Sequence, residues 1–163
     1  MASTSYAVAI GGNRRGRAGS PRRVVAAAIA ALPGLVVASR IIETAPVGPS
    51  IRRYANAAAL IESNLMPDAL LDVLQAMERA AGRRAGRRWG ARVLDLDIVL
   101  WLGGSFAAPG IVVPHPHFRT RDFVLGPLAE IAPDWRDPVT RLTVRQLAAR
   151  LTARARAPSP RAG

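Results

Sequence analysis

Between Trp89 and Trp101 the chain reads WGARVLDLDIVLW. From Val93 onward the β-branched and aliphatic residues are almost unbroken, which predicts a strand buried on both sides. The strand period of two sets Asp95 and Asp97 on one face and Leu94, Leu96, Ile98 and Leu100 on the other. Carboxylates side by side on an apolar strand repel each other and lose hydration, so positive charge is expected over them. A hard divalent cation carrying phosphate oxygens meets that need. Just upstream stand Arg83, Arg84, Arg87, Arg88 and Arg92, whose forked donors match phosphate oxygens. The competing view is a solvated basic loop followed by an edge strand whose acids neutralise it, because such pairs also occur in structural ion networks.

The rest of the composition narrows the class. A chain of 163 residues, half of them apolar, suits one domain over residues 1–152, with 153–163 expected to be a disordered basic tail. The absence of cysteine excludes disulfides and thiol nucleophiles. No stretch has the length and apolarity of a membrane span, and the start lacks the pattern of an export signal. A soluble, cytoplasmic protein is expected. The net charge of +12 would suit an anionic partner, but all 23 basic residues are arginine, and with abundant alanine this reads as compositional drift. The aromatic residues are too sparse to form a stacking platform for single strands. Neither nucleic acid nor membrane is expected as a partner.

Along the chain, Tyr6–Ile10 reads as a strand ending at Gly11-Gly12-Asn13, followed by a flexible basic stretch over Arg14–Gly19. Ser20-Pro21 begins a helix with Val24, Val25, Ala28, Ile29 and Leu32 as its apolar face, stopped by Pro33-Gly34. Leu35–Ile42 reads as a second strand and Glu43–Pro49 as a rigid loop. Tyr54–Ile61 is a third strand with Tyr54, Asn56, Ala58 and Leu60 on one face. There a buried Asn56 would serve either as a structural bridge or as reader of a donor-acceptor edge. Pro67–Ala81 is a helix closed by Gly82, with Gln75 and Glu78 facing one ligand or simply water. Gly103–Gly110 is a turn region and Ile111–Val113 a short extended piece before Pro114-His115-Pro116-His117, where His115 suits phosphate better than zinc. A short amphipathic element over Val124–Ile131 and a helix over Thr143–Leu151 complete the pass. The order strand, helix, strand, strand, helix, strand predicts an α+β, ferredoxin-like β-α-β-β-α-β sandwich with additional C-terminal elements, one sheet face covered by helices and the other free to carry a site.

At this point the residues resemble a known family. Arg88-Trp89-Gly90-Ala91-Arg92 running into Leu94-Asp95-Leu96-Asp97-Ile98, then Pro114-His115-Pro116-His117 with Arg121 and Phe123-Val124-Leu125, resemble the bacterial pterin pyrophosphokinases of folate biosynthesis. Glu43-Thr44-Ala45-Pro46-Val47-Gly48 and Tyr54-Ala55-Asn56-Ala57 add support, and the likeness runs from Ala7 to about Leu151.

The resemblance implies transfer of a pyrophosphoryl group from ATP, the co-substrate, to 6-hydroxymethyl-7,8-dihydropterin. Asp95 and Asp97 would hold two Mg2+ ions, and Arg83 and Arg92 would clamp the phosphates. His115 and Arg121 would contact the phosphates, while Gln75, Glu78, Trp89 and Ile98 would shape the adenosine end. Tyr54 and Phe123 would stack on the pterin, with Thr44 and Asn56 on its edge and Val47 and Gly48 in the adjoining loop. Arg14–Gly19, Pro46–Arg53 and Arg83–Arg92 match the family's three mobile loops, and a monomer is implied. The chain departs from the pattern at Gly12, in the short Pro-Ser-Ile-Arg-Arg stretch at 49–53, and at Ala91 and Val93, the last replacing a hydroxyl on the face of the acidic strand. Asp95 and Asp97 are retained.

Overall fold

In β1 (Thr4–Gly12) Tyr6, Val8 and Ile10 alternate with Ala7 and Ala9, and nearly all of them are buried. Both faces of this strand therefore need cover, which sets the layering of the whole computed structural model, where residues 2–44, 53–82 and 93–158 are described. β1 pairs antiparallel with β4 (Tyr54–Ser63) on one side and with β5 (Asp95–Trp101) on the other. β2 (Leu35–Ala38) and β3 (Ile42–Thr44) both pair with β4, giving a five-stranded antiparallel sheet in the order β2-β4-β1-β5. The single strand expected over Leu35–Ile42 is thus broken in two. The Ser39 hydroxyl accepts the Ala58 N–H at 2.9 Å and donates to the Arg40 carbonyl at 2.8 Å, so a side chain replaces a ladder bond at the break.

α1 (Pro21–Ala31) starts as expected, with Ser20 accepting the Arg23 N–H. After it Gly34 turns the chain at φ +70°, where a Cβ would lie 2.0 Å from the Glu62 carbonyl oxygen, so only glycine fits. α2 (Pro67–Ala80) joins α1 on one sheet face over a core of Tyr6, Val8, Ile10, Val25, Leu70, Leu74, Leu96 and Ile98. The second face is not bare. α3 (Asp122–Ile131) and α4 (Val144–Arg156) cover much of it through Ala7, Ala58, Val99, Leu100, Leu125, Leu128 and Val144. Three layers result, because β1 and β4 are apolar on both sides. α4 runs past Leu151 to Arg156, so the first residues of the expected tail are helical, behind a capping box of Thr143 and Gln146.

Expectations are also corrected in and before β5 and in the region after Gly103. Ala7 pairs with Leu100 but Val8 with Ile98, so Val99 is an extra residue in β5. This bulge reverses the alternation: Leu94, Leu96 and Ile98 enter the first core while Leu100 joins Val99 in the second, on the side of the acids. Val93 is buried in the first core, close to Gly16, rather than on the acidic face. Within Arg14–Gly19, Gly16 and Gly19 exchange paired backbone bonds of 3.0 Å. The region after Gly103 forms a two-stranded hairpin of β6 (Phe106–Ala108) and β7 (Ile111–Val113) leading to a cis Val113–Pro114 peptide. Among the described residues no helix is long and apolar enough to cross a membrane.

Candidate active site

Strand pairing places the acids. Gly11 of β1 is opposite Asp95 on one side and Asn56 on the other, and Ala9 is opposite Asp97 and Ala58. Two rows, Asn56-Gly11-Asp95 and Ala58-Ala9-Asp97, therefore cross three strands on one face. Neighbouring strands lie about 4.8 Å apart, so Asn56 and Asp95 stand about 10 Å apart over a floor of small residues. Asp95 and Asp97 are both half-buried. The Asn56 side chain is buried and donates through Nδ2 to Thr44 Oγ1 at 3.3 Å. Its Oδ1 lies so close over Gly11 that a Cβ there would come within 2.9 Å. The glycine thus makes room for the amide, a reason for Gly11 that the sequence reading did not supply.

His115 closes the other end. Its backbone N–H donates to the Val99 carbonyl at 3.0 Å, beside the bulge, and its Nδ1 accepts the His117 N–H at 3.2 Å. Burial first, then the charge of Arg121 and the neighbouring His117, lower the imidazole pKa against the opposing pull of Asp97. A neutral ring whose Nδ1 accepts carries its proton on Nε2, a donor suited to an anionic oxygen. His115, Asp97, Ile98 and Leu71 line a cavity of about 390 Å³ with the apolar hairpin residues Ala108 and Ile111. Arg121 lies over the Phe123 ring at 5.8 Å, and Phe123 packs on the margin of the second core.

The remaining site residues divide. Gln75 is exposed on α2, whereas Glu78 is buried and accepts the Leu96 N–H through Oε1 at 2.8 Å. The two do not share one environment, and Glu78 is tied to the backbone of the acidic strand. Tyr54 is half-buried at the start of β4, opposite Thr44. Arg83, Arg92, Trp89, Val47 and Gly48 lie outside the described residues. The sequence reading missed the bidentate pair of Arg119 with the fully buried Asp137, at 2.6 and 2.7 Å. The two stand 18 residues apart, and no helix or strand period links them.

Residues 7–133 match the family model of the 7,8-dihydro-6-hydroxymethylpterin-pyrophosphokinases. The chain belongs to this pyrophosphokinase family. It is 43% identical over 137 residues to the 2-amino-4-hydroxy-6-hydroxymethyldihydropteridine pyrophosphokinase of Pseudomonas aeruginosa, covering 80% of this chain and 82% of that one. A protein of the same name from Methylorubrum extorquens is 40% identical over 109 residues, 65% of this chain and 69% of the relative. Among solved structures, Plasmodium falciparum HPPK-DHPS matches with a TM-score of 0.71 at 13% identity, over 94% of this chain and 42% of the larger one. That likeness speaks for the mixed helix and antiparallel-sheet fold.

For a member of the pyrophosphokinase family the donor set fits magnesium. Asp95 and Asp97 offer hard carboxylate oxygens on one half-buried strand face, and among the described residues no group of three or more His, Cys, Asp or Glu gathers for a metal. Mg2+ is commonly held by one or two carboxylates, with water and substrate phosphates completing its shell.

Proposed function

We propose that this chain transfers pyrophosphate from ATP to 6-hydroxymethyl-7,8-dihydropterin, giving the pterin diphosphate and AMP, in folate biosynthesis. The family assignment carries the reaction class. The observation that supports the chemistry in this chain is the shared floor on which Asn56 and Thr44 face Asp95 and Asp97 across Gly11 and Ala9. A flat heterocycle fits over residues this small, with the amide and hydroxyl at its edge and Tyr54 and Phe123 on its faces. Its hydroxymethyl group would then point along the row toward the acids.

In the reaction the hydroxymethyl oxygen bonds to the β-phosphorus of ATP. The bond from that phosphorus to the α,β-bridging oxygen breaks, AMP leaves with the electron pair, and the hydroxyl proton passes to solvent. The chain's part is positioning and charge. Asp95 and Asp97 would hold two Mg2+ ions, which when bound neutralise phosphate oxygens. Arg83, Arg92 and Arg121 supply forked donors, and the Nε2–H of His115 donates to phosphate. The cavity beside Ile98 takes the adenosine, Gln75 and Trp89 are assigned to the same substrate, and Glu78 acts through the strand it holds. Val47 and Gly48 shape the pterin side. The antiparallel order β2-β4-β1-β5 supports reading the core sheet with α1 and α2 as ferredoxin-like, with α3 and α4 added on its second face. The reading carries with it a cytoplasmic monomer acting on two small molecules.

The test is a steady-state assay with ATP, Mg2+ and the pterin, following AMP and pterin diphosphate together. One AMP per diphosphate, dependent on Mg2+, is the expected result. AMP without the diphosphate, or turnover at background rate, would sink the proposal.

A further inference from the structure

Asp137 is wholly buried in the connection between α3 and α4, past the residues 7–133 that carry the family match. Its carboxylate accepts from Arg119 Nε at 2.6 Å, Arg119 Nη2 at 2.7 Å, Thr140 Oγ1 at 2.6 Å and the Val139 N–H at 3.1 Å. Its backbone is held as well: its N–H donates to the Leu142 carbonyl at 2.9 Å and its carbonyl accepts the Arg141 N–H at 2.8 Å. A charged, forked pair whose carboxylate is shut off from water makes a rigid joint.

The joint is placed where it bears on the site. Arg119 sits in the 3-10 turn Phe118–Thr120, where Phe118 is fully buried, and the Arg119 guanidinium lies 4.8 Å from the Phe118 ring. The Phe118 N–H donates to the His115 carbonyl and the Arg121 N–H to the Phe118 carbonyl. The turn thus spans the interval between His115 and Arg121, and its middle residue is bolted to Asp137. Thr44, Tyr54 and Asn56 stand on β3 and β4, whose pairing does not involve the joint, and Phe123, in the first turn of α3, is held by its packing against the second core.

We propose that Asp137 is a positioning residue for the nucleotide: acting through Arg119, it sets the spacing of His115 and Arg121 and hence the affinity for the ATP phosphates. This rests on the pyrophosphokinase reading, which puts those phosphates against His115 and Arg121. Misplacing a contact by a fraction of an ångström weakens it sharply, so the effect falls on the nucleotide and spares the pterin.

The experiment compares wild type, D137N, R119K and a control, Y6F, which removes the Tyr6 hydroxyl bond to the Leu65 carbonyl. For each, calorimetry measures the Kd of a non-hydrolysable Mg-ATP analogue without pterin, kinetics give both KM values and kcat, and Tm reports stability. In D137N the nucleotide Kd and the KM for ATP should rise about tenfold, with the pterin KM and kcat within about twofold. R119K, which keeps the charge and loses the fork, should fall between. Y6F should lower Tm and leave the nucleotide Kd unchanged. An unchanged nucleotide Kd in D137N, or parallel loss of ATP and pterin affinity, would overturn the proposal. If D137N does not fold, R119K decides by the same criteria. A wild type that binds nucleotide without pterin turnover ends the proposed function while the Kd comparison still decides this one; a wild type that binds no nucleotide ends both.

Discussion

Glu78 of α2 accepts the N–H of Leu96, and Leu96 is the residue between Asp95 and Asp97. β5 is an edge strand, paired only with β1 among the described strands, so a donor on its open side needs a partner from elsewhere. A buried carboxylate from the neighbouring helix provides one and thereby holds the two acids level. Replacing Glu78 by Ala leaves that N–H without its acceptor and should cost about 1–3 kcal/mol of stability. Glu78→Gln keeps an acceptor oxygen and should lose less. Urea denaturation of the two variants checks the order, and equal losses would contradict it.

D95N and D97N should each lower Mg2+-dependent turnover by at least about a hundredfold, since each removes a charged oxygen donor from the site. Both side chains are half-exposed, so circular dichroism and Tm should change little. Unchanged AMP release in either variant would contradict the metal-binding role proposed for that residue.

Gly11→Ala should act on the pterin end. The new methyl group would stand 2.9 Å from Asn56 Oδ1, and the amide must turn away, loosening its 3.3 Å bond with Thr44. The pterin KM should rise about tenfold while the KM for ATP holds. A rise in both would place the damage in the sheet rather than at Asn56.

Acid and alkaline stability should report two buried groups. Burial works against the charge of Asp137, but Arg119, Thr140 and the Val139 N–H prevail and hold its pKa at about 2, below its ordinary 3.8. The native state thus binds fewer protons than the unfolded chain between those values. The contribution, on the order of 2 kcal/mol, is complete above pH 3.8 and is lost as pH falls through about 2. The stability difference between wild type and D137N should therefore shrink on acidification from pH 5 to pH 2. Tyr6 runs the other way. Burial, helped by the charge of Asp68, raises its pKa from 10.0 to about 12. Its contribution is complete below pH 10 and is lost as pH rises through about 12, so Y6F should show a flatter alkaline limb in denaturant titrations.

Much of this was legible in the residues because local chemistry and global packing agree. Ser20-Pro21 and Gly34 bracket α1 by capping and turn rules, and Gly82 follows α2 as its glycine stop. The strand period put Asp95 and Asp97 together correctly. It failed two residues later, because a bulge leaves no mark in a run of Ile98, Val99, Leu100 and Trp101, any of which suits either face. Phe106-Ala107-Ala108 carries too little pattern to announce a strand; β6 exists by pairing with β7. The break at Ser39 depends on a hydroxyl bonding across to Ala58, and the joint of Arg119 with Asp137 on side chains meeting across a loop. Both are tertiary facts with no local period.

The bulge at Val99 also acts as a proofreader of folding. In a uniform strand, sliding β5 by one residue against β1 exchanges one set of side chains for the other. Here such a slip would drive Asp95 and Asp97 into the layer of Leu70 and Leu74, and Leu96 and Ile98 out of it. Because the extra residue falls between Ile98 and Leu100, the segment before it and the segment after it satisfy their opposite preferences in one register. A misaligned chain cannot rescue one half without exposing the other, so the pair of acids that would hold the metal also guards the alignment of the strand that bears it.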